Sequence, residues 1–170
     1  IKICQKYRNV SNIDSVQFFW KLMKVNSSPE SFMVRDHNFS IISCSPETLI
    51  DKQKNTIITK PIAGTLRKNK NTSLSYAKNF FAKNLKESKE HNMIVDMERN
   101  DLSKICKVGS VHLKNLKSVE EYKDLYHYVT TIKGELKKKI SAYDIIKAMM
   151  PGGSVIGCPK ISTLNLLNYQ

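Results

Sequence analysis

Apolar residues recur at Met93, Ile94, Met97, Leu102 and Ile105, a helical period that predicts one buried face over this stretch. Four acids, Glu90, Asp96, Glu98 and Asp101, are interleaved with it. Glu90 stands three and four residues before Met93 and Ile94, which puts its carboxylate at the edge of the apolar face, in the first turn. A carboxylate there serves either as a helix-terminus charge or as a ligand for a hard divalent cation. By itself the segment reads as an amphipathic helix with solvated acids.

The same patterning organises the rest of the chain. Residues 1–7 alternate and are rich in β-branched side chains, as in a strand taken from mid-fold. Asn12 is placed to cap a helix carrying Val16, Phe19, Trp20 and Met23. A turn at Asn26–Pro29 precedes a hairpin, Phe32–Val34 and Phe39–Ser43, around Asp36-His37-Asn38. Extended segments follow at Thr48–Ile50, Thr56–Thr59, Val111–Leu116 and Tyr126–Ile132. One long helix is expected from about Leu74 to Lys89, running into the acidic segment. Ser141-Ala142-Tyr143-Asp144 has the form of a capping box opening a helix that ends at Pro151-Gly152-Gly153, and a further helix begins at Lys160. Antiparallel-style strand runs separated by helices predict an α+β fold.

Composition narrows the function classes. The chain has 170 residues, 41% of them hydrophobic, which suits one packed domain. No apolar run reaches membrane-spanning length, and no signal peptide is recognisable at the first residues. Cys4, Cys44, Cys106 and Cys158 lack CxxC spacing, so a reduced, cytoplasmic protein with buried thiols is expected and a zinc site is not. The net charge of +13 would attract anions. Its lysines are scattered and accompany no RNP, KH or zinc-finger pattern, so no specific nucleic acid is expected as a partner.

Five stretches in fixed order then point to a family. They are Ser45-Pro46-Glu47, Pro61-Ile62-Ala63-Gly64-Thr65, Glu90–Asp101 continuing to Cys106 and Gly109–Val111, Tyr126–Thr131 with Gly134-Glu135-Leu136, and Pro151–Lys160. Together they closely resemble the chorismate-binding catalytic domain shared by anthranilate synthase component I, aminodeoxychorismate (para-aminobenzoate) synthase component I and the isochorismate synthases. The resemblance runs the length of the chain. It implies antiparallel sheets flanked by helices, and a domain that in the family continues past Gln170. That continuation carries an arginine for a substrate carboxylate, a glycine-rich loop and further acidic magnesium ligands, so residues 1–170 are expected to be a partial catalytic domain, inactive alone.

The resemblance also implies roles. Chorismate is a dianion whose amination needs a cation at the ring carboxylate, an acid for the leaving hydroxyl and a place for ammonia. Glu90 matches the family's Mg²⁺ ligand, Glu47 the proposed acid, and His127 the active-site histidine. Gly64, Thr65 and Ser154 match positions that approach or hydrogen-bond the substrate. Lys160 either places the helix that follows it or lends positive potential, and the structural reading is preferred. Gln5 stands where the water-using isochorismate synthases carry a lysine, and a glutamine cannot deprotonate water. Ala63 stands where many aminodeoxychorismate synthases carry a nucleophilic lysine, and an alanine removes that covalent route. Ala63 is thus anthranilate-like, whereas Pro151–Ser154 and Val95–Asp101 are aminodeoxychorismate-like. The reading that results is an aminodeoxychorismate-forming subunit fed with ammonia by a glutamine amidotransferase. Anthranilate synthase component I and a non-catalytic truncated relative are the alternatives.

Overall fold

The computed structural model describes residues 6–8, 12–157 and 159–168. The described residues fall into two compact units, one within residues 6–48 and the other within residues 49–168. Among the described residues no helix is long and apolar enough to cross a membrane.

The smaller unit holds α1 (Ser15–Val25) and the antiparallel pair β1 (Glu30–Arg35) and β2 (Ser40–Ser45). Asp14 caps α1 in place of Asn12: its Oδ1 accepts from the amides of Val16 at 2.9 Å and Gln17 at 3.1 Å. A carboxylate one residue before the helix neutralises two orphan donors and favours the positive helix end, which Asn12, two residues further out, does not. Trp20, expected on the inner face of this helix, is exposed, while Val16, Phe19 and Met23 are half-buried. The strand expected at residues 1–7 falls largely outside the described residues.

In the larger unit, β7 (Leu125–Glu135) is the central strand of a five-stranded sheet. Along one edge it pairs with β6 (His112–Glu121). Along the other it pairs first with β5 (Ile62–Arg67) and then with β4 (Thr56–Lys60), beyond which lies β3 (Thr48–Gln53). The α+β expectation holds, with β6 and β7 longer than the apolar runs that announced them.

Side chains alternate across β7. Tyr126, Tyr128 and Ile132 point to the helical layer, where Tyr128 stacks on Phe81 with ring centroids 4.9 Å apart. That layer is α2 (Leu74–Lys83), α3 (Leu85–Ile105) and α4 (Ala142–Met149), followed by the short α5 (Gly153–Ile156) and α6 (Lys160–Asn168). The single helix expected from Leu74 through Lys89 is two. Asn84 breaks it, closing α2 with its amide on the Phe80 carbonyl at 3.1 Å and capping α3 by accepting from the Glu87 amide at 3.2 Å. The first-turn acid of α3 is therefore Glu87, and Glu90 lies in the second turn.

The buried face of α3 also differs from the apolar list. Met93 is 44% exposed, and the core face is His91, Ile94, Val95, Met97, Glu98, Asp101, Leu102 and Ile105. Two of its acids are buried with partners. Glu98 Oε2 accepts from Thr59 Oγ1 at 3.1 Å, and Asp101 receives Lys104 at 2.7 Å and Lys160. Buried charge persists where it is paired and hydrogen-bonded.

Candidate active site

The geometry begins with a bulge. Ile62 pairs with Val129 and Thr65 with His127, so Ala63 and Gly64 together oppose Tyr128. Gly64 makes this possible, because its φ of +109° lies where side-chain-bearing residues are strained. A Cβ there would also come within 3.0 Å of Phe81 Cε1 and 3.2 Å of both Tyr128 Cβ and Glu87 Oε2. Beyond the bulge Thr65 returns to register, with its hydroxyl 3.1 Å from His127 Nδ1.

Register extends this pair into a row. His127 faces Thr65 on β5 and Glu120 on β6, and directly opposed residues of antiparallel strands share a face. Thr65, His127 and Glu120 therefore line the sheet face turned away from α2 and α3. Tyr122 donates its hydroxyl to Glu120 Oε2 at 3.1 Å and sets its ring edge-on to the imidazole, centroids 5.1 Å apart. Burial, the Glu120 charge and this hydrogen bond push the Tyr122 phenol up to about 12, so it stays a donor. Burial draws the His127 pKa below the ordinary histidine value, while a hydrogen bond to the Gly64 backbone and the Glu120 charge pull the other way.

The helical layer supports the bulge from the other side. His91 is fully buried on α3 and reaches the Ala63 carbonyl and the Thr130 hydroxyl. Burial again lowers its pKa, opposed by the bond to Ala63 and aided by the Lys117 charge. Glu90, next to it, is exposed, and Glu87 is half-buried beside Gly64. Among the described residues no three metal-binding side chains cluster. A cation at this helix would therefore rest on one or two carboxylates and complete its shell with water and substrate oxygens, a donor set that fits Mg²⁺.

The structure thus brings Gly64, Thr65 and His127 together. Ser154 is buried in α5, which packs on α3 where Gly153 abuts Met97. Gly153 opens that helix and does not act as a C-cap of the one before it. Lys160 has the structural role expected, on Asp101 and on the Met149 carbonyl at 3.2 Å. Glu47 lies in the smaller unit, its amide donating to Ser45 Oγ at 3.3 Å. Gln5 falls outside the described residues. An open groove of about 720 Å³ at the α2–α3 junction, lined by Tyr76, Phe80 and Lys83, contains none of the candidates. Sequence reasoning passed over Glu87, His91, Glu120 and Tyr122. For Glu87 the signal was its place three residues before Glu90, and for Glu120 and Tyr122 it was their place just before the strand that carries His127.

Comparison with known proteins supplies the context. The family model described as chorismate binding enzyme matches residues 1–170. An anthranilate synthase component I-like protein of Synechocystis is 37% identical over 91% of the chain and 32% of its own length. The aminodeoxychorismate synthase component 1 of Bacillus subtilis is 37% identical over 92% of the chain and 33% of its own. The crystal structure of anthranilate synthase component I from Streptococcus pneumoniae superposes with a TM-score of 0.78 at 29% identity, over 91% of this chain and 34% of that one. The chain spans about a third of the length of the curated relatives it matches.

Proposed function

Because this chain belongs to the chorismate binding enzyme family, we propose that it supplies part of the chorismate site of an aminating synthase that forms 4-amino-4-deoxychorismate. The observation that carries this reading is the bulge that sets Gly64 and Thr65 against His127, with the Thr65 hydroxyl 3.1 Å from the imidazole. Backbone that must approach a ligand closely calls for glycine, and a buried imidazole beside a hydroxyl can hold or pass a proton at one atom.

Each residue has a distinct task. Gly64 and Thr65 present backbone and hydroxyl to the substrate. His127, kept neutral by burial, faces the C4 oxygen and the enolpyruvyl group. Glu47 protonates the departing hydroxyl. Glu90 would hold Mg²⁺, with Glu87 three residues before it on the same helix. Bound there, the ion would supply positive charge for the ring carboxylate. Ala63 carries no nucleophile, and Gln5 is no base for water, so ammonia from a glutamine amidotransferase attacks directly.

Pro151–Ser154 and the Val95–Asp101 run favour 4-amino-4-deoxychorismate over anthranilate, while Ala63 favours anthranilate, which is the second reading. The test supplies chorismate, Mg²⁺ and ammonium to the full-length protein and separates the products by chromatography. 4-Amino-4-deoxychorismate is expected. Dominant anthranilate promotes the second reading, and dominant isochorismate defeats both.

A further inference from the structure

His91 takes part in none of the steps above, yet it is fully buried with both ring nitrogens engaged. Nδ1 lies 3.2 Å from the Ala63 carbonyl and Nε2 2.6 Å from Thr130 Oγ1, while the Lys117 amide donates to that same hydroxyl oxygen at 3.0 Å. Counting hydrogens fixes the direction of every bond. A carbonyl only accepts, so the one hydrogen of the neutral ring sits on Nδ1. Nε2 is then the acceptor and takes the Thr130 hydroxyl hydrogen, and the Thr130 oxygen takes the Lys117 amide hydrogen. A one-way chain of donors runs from β6 through β7 to α3 and ends on β5.

Its end point matters. Ala63 belongs to the bulge, where neither it nor Gly64 has a Cα partner on β7. A carbonyl at a bulge in a buried place calls for a donor, and His91 provides one. Two residues on, Thr65 regains register and meets His127. We propose that His91 is a positioning residue: its Nδ1–H tautomer, set by the Thr130 hydroxyl, clamps the Ala63 carbonyl and so holds Gly64 and Thr65 at the distance His127 requires. Because His91 follows Glu90 on the same helix, the clamp ties the helix assigned to the metal to the strand assigned to the substrate. That last link rests on the chorismate reading, whereas the clamp itself does not.

The test uses the full-length protein with ¹⁵N-labelled histidine and four variants, His91→Asn, His91→Leu, Thr130→Val and Thr130→Ser. The expected imidazole spectrum shows Nδ1 protonated and Nε2 bare. Asn keeps a donor where Nδ1 stood, and Ser keeps the hydroxyl, so both preserve slow amide exchange at Gly64 and Thr65. Leu and Val speed that exchange by about tenfold or more when compared at matched global stability. Chorismate turnover follows the same order, with kcat falling more than KM rises. A proton on Nε2, or unchanged exchange at Gly64 and Thr65 in His91→Leu, overturns the clamp. A verified clamp whose loss leaves turnover untouched overturns its tie to the substrate, and with it the chorismate reading of Gly64 and Thr65.

Discussion

Lys160, the first residue of α6, forms an ion pair with Asp101 of α3, and its ammonium also donates to the Met149 carbonyl at 3.2 Å. Asp101 is almost fully buried, and its other oxygen holds Lys104 at 2.7 Å. Taking one partner from a buried carboxylate strands charge that water cannot reach. Lys160→Met is therefore expected to lower unfolding free energy by about 3 kcal/mol in urea titration, with Lys104 limiting the loss. Adding Asp101→Asn to that variant should cost less than it does alone, because the charge left stranded is gone.

Acidification should destabilise the fold through His127. Burial lowers its folded-state pKa, so the unfolded chain takes up the proton first. Stability is full above the ordinary histidine value of 6.5 and falls as pH drops through it. The decline levels off below the lowered folded value. Thermal unfolding from about pH 7.5 to 5 should show a shallower decline in His127→Asn than in the unsubstituted protein. Parallel curves would remove His127 from the list of buried neutral groups.

Some element ends were legible in the sequence because their causes are local. Ser141 and Asp144 form the full capping box, each side chain accepting from the other's backbone, as their spacing announces. The hairpin around Asp36–Asn38 is of the same kind. What escaped depends on distant partners. Glu98 and Asp101 read as solvated acids, since Thr59 and Lys160 lie far along the chain. The break at Asn84 escaped because apolar spacing continues on both sides of it, and only the cap geometry separates α2 from α3. In the candidate site, Gly64-Thr65 and His127 were legible as motifs. His91 was not, because its meaning lies in a bulge on a strand 28 residues away.

Gly153→Ala should be costly. A Cβ there would overlap the end of the Met97 side chain, with Sδ 2.8 Å away, inside the packed α3–α5 contact. Overpacking of this kind costs about 1–3 kcal/mol. Truncating the obstruction in Gly153→Ala/Met97→Ala should recover part of the loss, so the two costs will not add in a denaturation cycle.

Glu90→Gln separates fold from metal. The side chain is exposed and lies outside the first turn of α3, so stability should stay within about 0.5 kcal/mol. Chorismate turnover by the full-length variant should lose its response to Mg²⁺. A saturation curve for Mg²⁺ that matches the unsubstituted enzyme would exclude Glu90 as the ligand.

The most direct test falls on the pair that defines the site. Thr65→Val and His127→Asn, made singly and together in the full-length protein, remove the hydroxyl and the imidazole that stand 3.1 Å apart. Chorismate turnover with saturating Mg²⁺ and ammonium is then measured by loss of substrate, with circular dichroism confirming that each variant is folded. The expected result is a fall of about a hundredfold for His127→Asn, a smaller fall for Thr65→Val, and a double variant no worse than His127→Asn alone. Folded variants that turn over chorismate within about twofold of the unsubstituted enzyme would contradict the placement of the site at this pair.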